Sequence, residues 1–478
     1  MKDHNDSMQV SFADSIGIML AIIAVVVVCV RLGLSLVIPL LLCWFVLFLY
    51  SLIRKIQWET LQNYAVGAIK DGFGSVLIVI AVGALIGTWI LSGTVPTIIY
   101  YGLKIISPAI FLPATLVLCS LLSLATGTSY GSAGSAGLAM MGIGMSMGFP
   151  PGLIAGAVIS GALFGDKMSP FSDTTNLCPA MAGGELFKHI GSMMWNTIPA
   201  WIISMILYYF LGVRYSATAY DPSVITEYLA GLQDIFNIGV IALLPIVLII
   251  VLLVFKMPAL PTILIGAVFG GILAMITQGA GIKEVINAMH KGFSIKSEIF
   301  LIERLLNRGG ASSMMDIVYI MIFGMGLGGM LEKMGVLGNF LNLMVKKITT
   351  LPRLTWATMG VSYLSGAVGS TMSMAQVITG KLMAPLYREK GVAPEILSRT
   401  MEDTSTMGGT LMPWHTNAVF FTGALGVTYG EYMPFVFLCY LCPIISLIFS
   451  YTGISIKYVD PETGEYIPKE KAPINLNI

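Results

Sequence analysis

The run Gly165-Asp166-Lys167-Met168-Ser169-Pro170-Phe171-Ser172-Asp173-Thr174-Thr175-Asn176 sets carboxylates, hydroxyls and an amide between two apolar flanks. A second polar stretch, Glu402-Asp403-Thr404-Ser405, leads on to Pro413-Trp414-His415-Thr416-Asn417. Ionised side chains at membrane depth are costly and mark ion or substrate pathways, so these stretches are the first candidates for function. Their chemistry is that of hard oxygens. Asp166 and Asp173 only accept when ionised, Ser169, Ser172, Thr174 and Thr175 add hydroxyls, and Asn176 adds an amide carbonyl. Pro170 removes one backbone donor and Gly165 allows a turn, which frees carbonyls of the kind transporters use to hold Na⁺. Asp173 and Asp403, each followed by two hydroxyl residues, Thr174-Thr175 and Thr404-Ser405, are the expected Na⁺ ligands.

The same carboxylates supply a proton site. A carboxyl group in a partly apolar cavity holds its proton more tightly, and a bound cation loosens it. A group that takes either H⁺ or Na⁺, in a protein with alternating access, is the minimal cation/proton exchanger. Lys167 offers Asp166 a structural ion pair as the alternative. His415, whose type titrates near neutrality, is a candidate proton relay with Glu402, although a lone histidine also packs as an ordinary polar residue. Two further clusters, Gly127-Thr128-Ser129 and Gly369-Ser370-Thr371, would set hydroxyls and helix N-terminal N–H groups near the midplane. Helix N-termini attract anions, so a small carboxylate or amino acid also fits. The plain alternative is an extramembrane loop, since Ser, Thr, Asp, Pro and Gly all form turns. The apolar flanks and the partner stretch in the other half oppose it.

Composition sets the solvent in which this chemistry occurs. With 478 residues, 56% apolar, 11% charged and a mean hydropathy of +0.85, the chain falls outside the soluble range. It reads as an all-α polytopic membrane protein, and the first apolar window reads as a retained span because no small-residue cleavage pattern follows it. A net charge of +1 and the absence of a dense basic run exclude nucleic acid as a partner. Cys439 and Cys442 form a CxxC inside an apolar helix, and none of the six cysteines has zinc or disulfide spacing. Packing is their expected role. No nucleophile with a base, metal-ligand cluster or phosphate loop suggests an enzyme or a resident cofactor.

Internal repetition tells which elements position the site. Gly83 to Gly87 is echoed by Gly324 to Gly328, Gly127 by Gly369, and Pro170 by Pro413, at offsets of 241 to 243. Each half then reads as two spans, an amphipathic segment (57–70 and 281–292), a Gly-rich span (72–92 and 314–332), a hairpin of short apolar arms around the Gly-hydroxyl cluster, a broken helix at the polar stretch, and a long closing span. About 10 spanning helices, two re-entrant hairpins and two broken helices follow. Five crossings per half make the second half, 235–453, an inverted copy of the first, 1–213, joined by 214–234 and followed by a solvated tail, 454–478. The positive-inside rule puts both termini in the cytoplasm, because Arg54, Lys55, Lys70, Lys346, Lys347, Arg353, Arg388 and Lys390 share their side against Lys283, Lys291, Lys296, Arg304 and Arg308.

Taken together, GDKMSPFSDTTN at 165–176, GTSYGS at 127–132, EDTSTM at 402–407 and PWHTN at 413–417 resemble the NhaC family of bacterial Na⁺/H⁺ antiporters. The resemblance implies Na⁺ and H⁺ as coupled ions, a multi-pass cytoplasmic membrane protein, and an inverted repeat with re-entrant hairpins. It extends to malate/lactate exchangers coupled to Na⁺ and H⁺, which keeps carriage of an organic anion as the second reading. By similarity it assigns ion or substrate binding to Asp166, Ser169, Ser172, Asp173, Thr174 and Thr175 and to Asp403, Thr404 and Ser405. Lipid is the surrounding partner, and a homodimer is an admissible assembly. The halves are not equivalent at the acids, since Asp403 precedes Pro413 by ten residues and Asp166 precedes Pro170 by four.

Overall fold

The computed structural model describes residues 10–32, 37–105, 107–170, 172–219, 222–255, 257–297, 299, 302–303, 306–336, 339 and 348–474. Phe171, Arg304, Lys346, Lys347 and the chain before Val10 or after Ile474 lie outside the described residues. The described residues are built almost wholly of α-helix, with one pair of two-residue strands near the C-terminus. Four helices are long and apolar enough to cross a bilayer, and up to seven spans result if each of three bent helix pairs counts as one. That is fewer than the ten expected. The two broken helices are interrupted by polar stretches, and the first apolar helix counts only as the short segment Phe12–Ile22, so length and composition alone do not count them as spans.

Two elements differ from the sequence reading. The amphipathic segment 57–70 and the Gly-rich span after it form a single helix, Trp58–Leu91, because no residue between them ends the hydrogen-bond ladder. In the second half the corresponding pieces stay separate, as Ile282–Lys291 and Met315–Lys333, with Gly292, Gly309 and Gly310 all at positive φ in the connecting loop. The close approach of the helix Ile282–Lys291 and the loop after it to the helix Trp58–Leu91 depends on glycine: a Cβ on Gly87 would collide with the Ala288 carbonyl, and one on Gly83 with the Gly310 carbonyl of the loop.

Element boundaries recur 243 positions apart. The helix Pro108–Thr126 has its counterpart in Leu351–Gly369, and the run 129–146 in Met372–Glu389. Helices starting at Pro151 and Asp173 match those starting at Pro394 and Thr416. Turn chemistry repeats with them. Gly127 and Ser370 both end a helix in the left-handed region (φ 70° and 57°), and Thr128 and Thr371 then cap the next one by accepting from Gly131 N (3.4 Å) and Met374 N (3.3 Å). The structural counterpart of Gly127 is therefore Ser370, one residue beyond the Gly369 suggested by sequence. The two broken helices run in opposite senses. Gly184, after the end of one, packs on Pro394 at the start of the other, while Gly152, at the start of the first, packs on Glu431 just beyond the end of the second.

Gly165 lies within the helix Pro151–Met168 rather than at a turn. Its lack of a side chain lets that helix approach the Pro108–Thr126 helix, since a Cβ there would overlap Leu124 N and Ser120 O. The C-terminal tail also departs from a solvated end. Tyr458, Val459 and Ile474 are buried, Tyr458 bridges to Val392, and Tyr466 donates its hydroxyl to Glu395 (3.0 Å).

Candidate functional site

The first polar stretch forms the gap between two helices, Pro151–Met168 and Asp173–Ala182. Freed carbonyls there find side-chain donors. The Thr175 hydroxyl donates to the Asp166 and Lys167 carbonyls (3.0 and 2.9 Å), Asn176 Nδ2 donates to the Pro170 and Ser172 carbonyls (2.8 Å each), and the Ser169 hydroxyl donates to Leu124 O (2.8 Å). Ser169, Thr175 and Asn176 thus hold the break open. The Asp166 carboxylate, 5% exposed, accepts from Ser129 Oγ and Ser172 Oγ, each at 2.6 Å. Ser172 Oγ is also 3.0 Å from Thr174 Oγ1. Asp173 is exposed in the first turn of its helix, where the peptide dipoles favour a negative charge.

Both carboxylates border one cavity of about 910 Å³. Thr128, Ser129, Ser172, Thr174, Thr371 and Thr416 also line it, as do Glu332 and Lys333. Four helical runs begin at this cavity, with their first residues at Ser129, Asp173, Met372 and Thr416. The site combines acid oxygens that suit a cation with backbone N–H ends that suit an anion.

The second stretch does other work. Asp403 is fully buried in an ion pair with Lys167, and Asn196 Nδ2 (2.6 Å) and Ser446 Oγ donate to its second oxygen. Lys167 therefore pairs with Asp403 and not with Asp166, and Asp403 is absent from the cavity wall that holds Asp173. The helix face decides this: Asp166 faces the hairpin tip at Ser129, and the next residue faces the helix Pro394–Ser405. Thr404 and Ser405 donate back to Thr400 O and Met401 O (both 2.7 Å), as hydroxyls inside helices often do. Glu402 accepts from Cys178 Sγ (2.8 Å) and Gln376 Nε2 (3.0 Å), while its Oε1 is buried without a hydrogen-bond partner. His415 caps the helix Thr416–Leu425, its Nδ1 accepting from Asn417 N (3.1 Å), with Nε2 buried and unpartnered. Ser370 contributes its carbonyl, which accepts from Thr416 N (3.0 Å). Among the described residues, no cluster of three or more His, Cys, Asp or Glu groups is arranged to hold a metal ion.

Comparison with known proteins follows the same motifs. The model of the Na⁺/H⁺ antiporter family matches residues 6–175 and 161–454. The chain belongs to the Na⁺/H⁺ antiporter family. It is 40% identical to the malate-2H⁺/Na⁺-lactate antiporter of Bacillus subtilis, over 91% of this chain and 93% of that protein. It is 36% identical to the Na⁺/H⁺ antiporter NhaC of Alkalihalophilus pseudofirmus, over 88% and 90% of the two chains. The arginine/ornithine antiporter ArcD of Halobacterium salinarum is 32% identical over 93% and 91%. The chain is thus a multi-pass membrane protein of an antiporter family whose relatives move quite different solutes.

Several residues around these acids carry no motif. Asn196, Gln376 and Ser446 sit in separate helices and meet the acids only in the fold. Tyr130 donates to Asn417 Oδ1 (2.9 Å) and stacks on Phe420 at 4.0 Å, tying the first hairpin to the second broken helix. The signal available in sequence was an amide or ammonium inside an apolar helix, which must find a partner.

Proposed function

We propose that this chain is a secondary active transporter that exchanges Na⁺ for H⁺ across the cytoplasmic membrane by alternating access. The observation that carries the reading is Asp166, a nearly buried carboxylate at a helix break, held by two hydroxyls and bordering the same cavity as Asp173. Na⁺ binds the Asp166 carboxylate with the hydroxyl oxygens of Ser129, Ser172 and Thr174, and Asp173 supplies negative charge at the mouth. H⁺ competes for Asp166. Glu402, with one carboxylate oxygen lacking a partner, is the second proton-holding group, and the Lys167–Asp403 pair is the structural joint between the two broken helices.

The architecture that serves this is an inverted repeat of about ten spans, with re-entrant hairpins at 108–146 and 351–389 and broken helices at 151–182 and 394–425. Halves 1–213 and 235–453 are joined by 214–234, and both termini face the cytoplasm. The 243-residue offset of helix starts between 108–182 and 351–425, and the opposite sense of the two broken helices, support this arrangement. Purified protein in liposomes tests the exchange. An imposed Na⁺ gradient is expected to drive proton movement with no organic solute present, and Asp166→Asn is expected to abolish it.

A second reading has its own support. Helical runs begin around the cavity beside the acids, and a relative of 40% identity is named for malate and lactate. Coupled carriage of a small carboxylate or amino acid at this cavity follows. Proton flux that appears only after malate or lactate is added would select this reading over the first.

A further inference from the structure

A second pocket, of about 490 Å³, lies apart from the cavity at Asp166, at the far end of the helix Thr416–Leu425. Its wall carries two cations, Lys291 and Arg308. Among the described residues neither forms a salt bridge, and no carboxylate lines the pocket. The Arg308 guanidinium is seated against Gly426, where a Cβ would collide with its Nη2 atom. The loop that presents it is pinned. Asn307 accepts from Ile295 N (2.6 Å) and donates to Ile295 O (2.9 Å), Phe293 N donates to Arg308 O (3.1 Å), and Gly310 N donates to Gly83 O (2.6 Å). Such fixing sets the Arg308 backbone in place before any ligand arrives, with its guanidinium against Gly426.

Two unpaired cations in one concave pocket form an anion site, and a guanidinium matches a carboxylate with two parallel N–H donors. The rest of the lining narrows the class. Hydroxyls of Ser294 and Ser313 stand beside the apolar side chains of Ile86, Phe293 and Met314. Apolar walls suit a carbon skeleton and offer nothing to a small inorganic anion. We propose that this pocket binds a small organic carboxylate, with Arg308 as the bidentate partner and Lys291 as the second charge. The site is separate from the cavity at Asp166, so it stands whether or not the bound carboxylate is then carried.

Titration calorimetry on the purified full chain, with malate, lactate and inorganic phosphate as separate probes, tests this. Malate or lactate is expected to bind the unaltered protein, at least tenfold more weakly to Arg308→Gln, and with partial recovery in Arg308→Lys. Lys291→Gln is expected to weaken binding further in combination. Na⁺-driven proton flux in liposomes is expected to stay within about twofold in these variants, which also shows that they fold. Carboxylate affinity unchanged in the Arg308→Gln, Lys291→Gln double variant overturns the proposal. So does binding of phosphate with none of malate or lactate.

Discussion

At the scale of single residues, two acids that look alike in sequence have opposite surroundings. Asp166 borders an open cavity and is held by the hydroxyls of Ser129 and Ser172 with no cation paired to it among the described residues, whereas Asp403 is fully buried against Lys167, Asn196 and Ser446. A buried pair is strongly destabilised when one partner is lost, because the other charge is left uncompensated. Asp403→Asn is therefore expected to lower stability by about 3–5 kcal/mol, while the double change Lys167→Met, Asp403→Leu loses much less. Thermal unfolding in detergent reads this; a double variant as unstable as Asp403→Asn would contradict the pairing. Asp166→Asn, by contrast, is expected to fold normally and lose Na⁺-coupled proton flux, because one hydroxyl partner keeps the amide oxygen as its acceptor and the other turns to accept from Nδ2. In sequence both acids were visible as intramembrane carboxylates. Which one met Lys167 was not, since adjacent residues on a helix point about a quarter-turn apart and only packing decides what each face meets.

At the scale of elements, the breaks are built by caps and turns rather than by the acids. Thr128 and Thr371 cap their helices identically, and Gly127 and Ser370 occupy equivalent left-handed turns. An L residue with a side chain pays roughly 1–2 kcal/mol in that conformation. Ser370→Gly is thus expected to raise stability by about 1 kcal/mol without loss of transport, measured by the melting temperature and by flux. Gly165→Val is expected to act in the opposite direction, abolishing properly folded protein, because its side chain would enter the backbone of the Pro108–Thr126 helix. Recovery of monodisperse Gly165→Val protein would count against that contact. The hairpins were legible from Gly-Thr-Ser and Gly-Ser-Thr because turn chemistry is local. The docking of Tyr458 and Val459 was not legible, since it depends on a contact far along the chain, and the fusion of 57–70 with the next span was obscured by a change of hydrophobic pattern inside an unbroken hydrogen-bond ladder.

At the scale of the whole molecule, the two broken helices run in opposite senses, and the groups proposed to hold Na⁺ and H⁺ come from different parts of the chain. An inverted arrangement predicts that the loop at Ser294 and the tail at Glu462, both exposed, lie on opposite sides of the membrane. Ser294→Cys and Glu462→Cys are then expected to react with an impermeant thiol reagent from opposite faces, against a quiet background because the native cysteines are buried. Labelling of both from one face would break the inverted topology. The central claim, that H⁺ and Na⁺ compete for Asp166, is tested most directly by Na⁺ titration calorimetry across a pH series in buffers of different ionisation enthalpy. The account predicts about one proton released per Na⁺ bound and an affinity that weakens up to about tenfold per unit as pH falls below the site's own titration, with both effects lost in Asp166→Asn. Na⁺ binding that releases no proton, or that survives unchanged in Asp166→Asn, would contradict it.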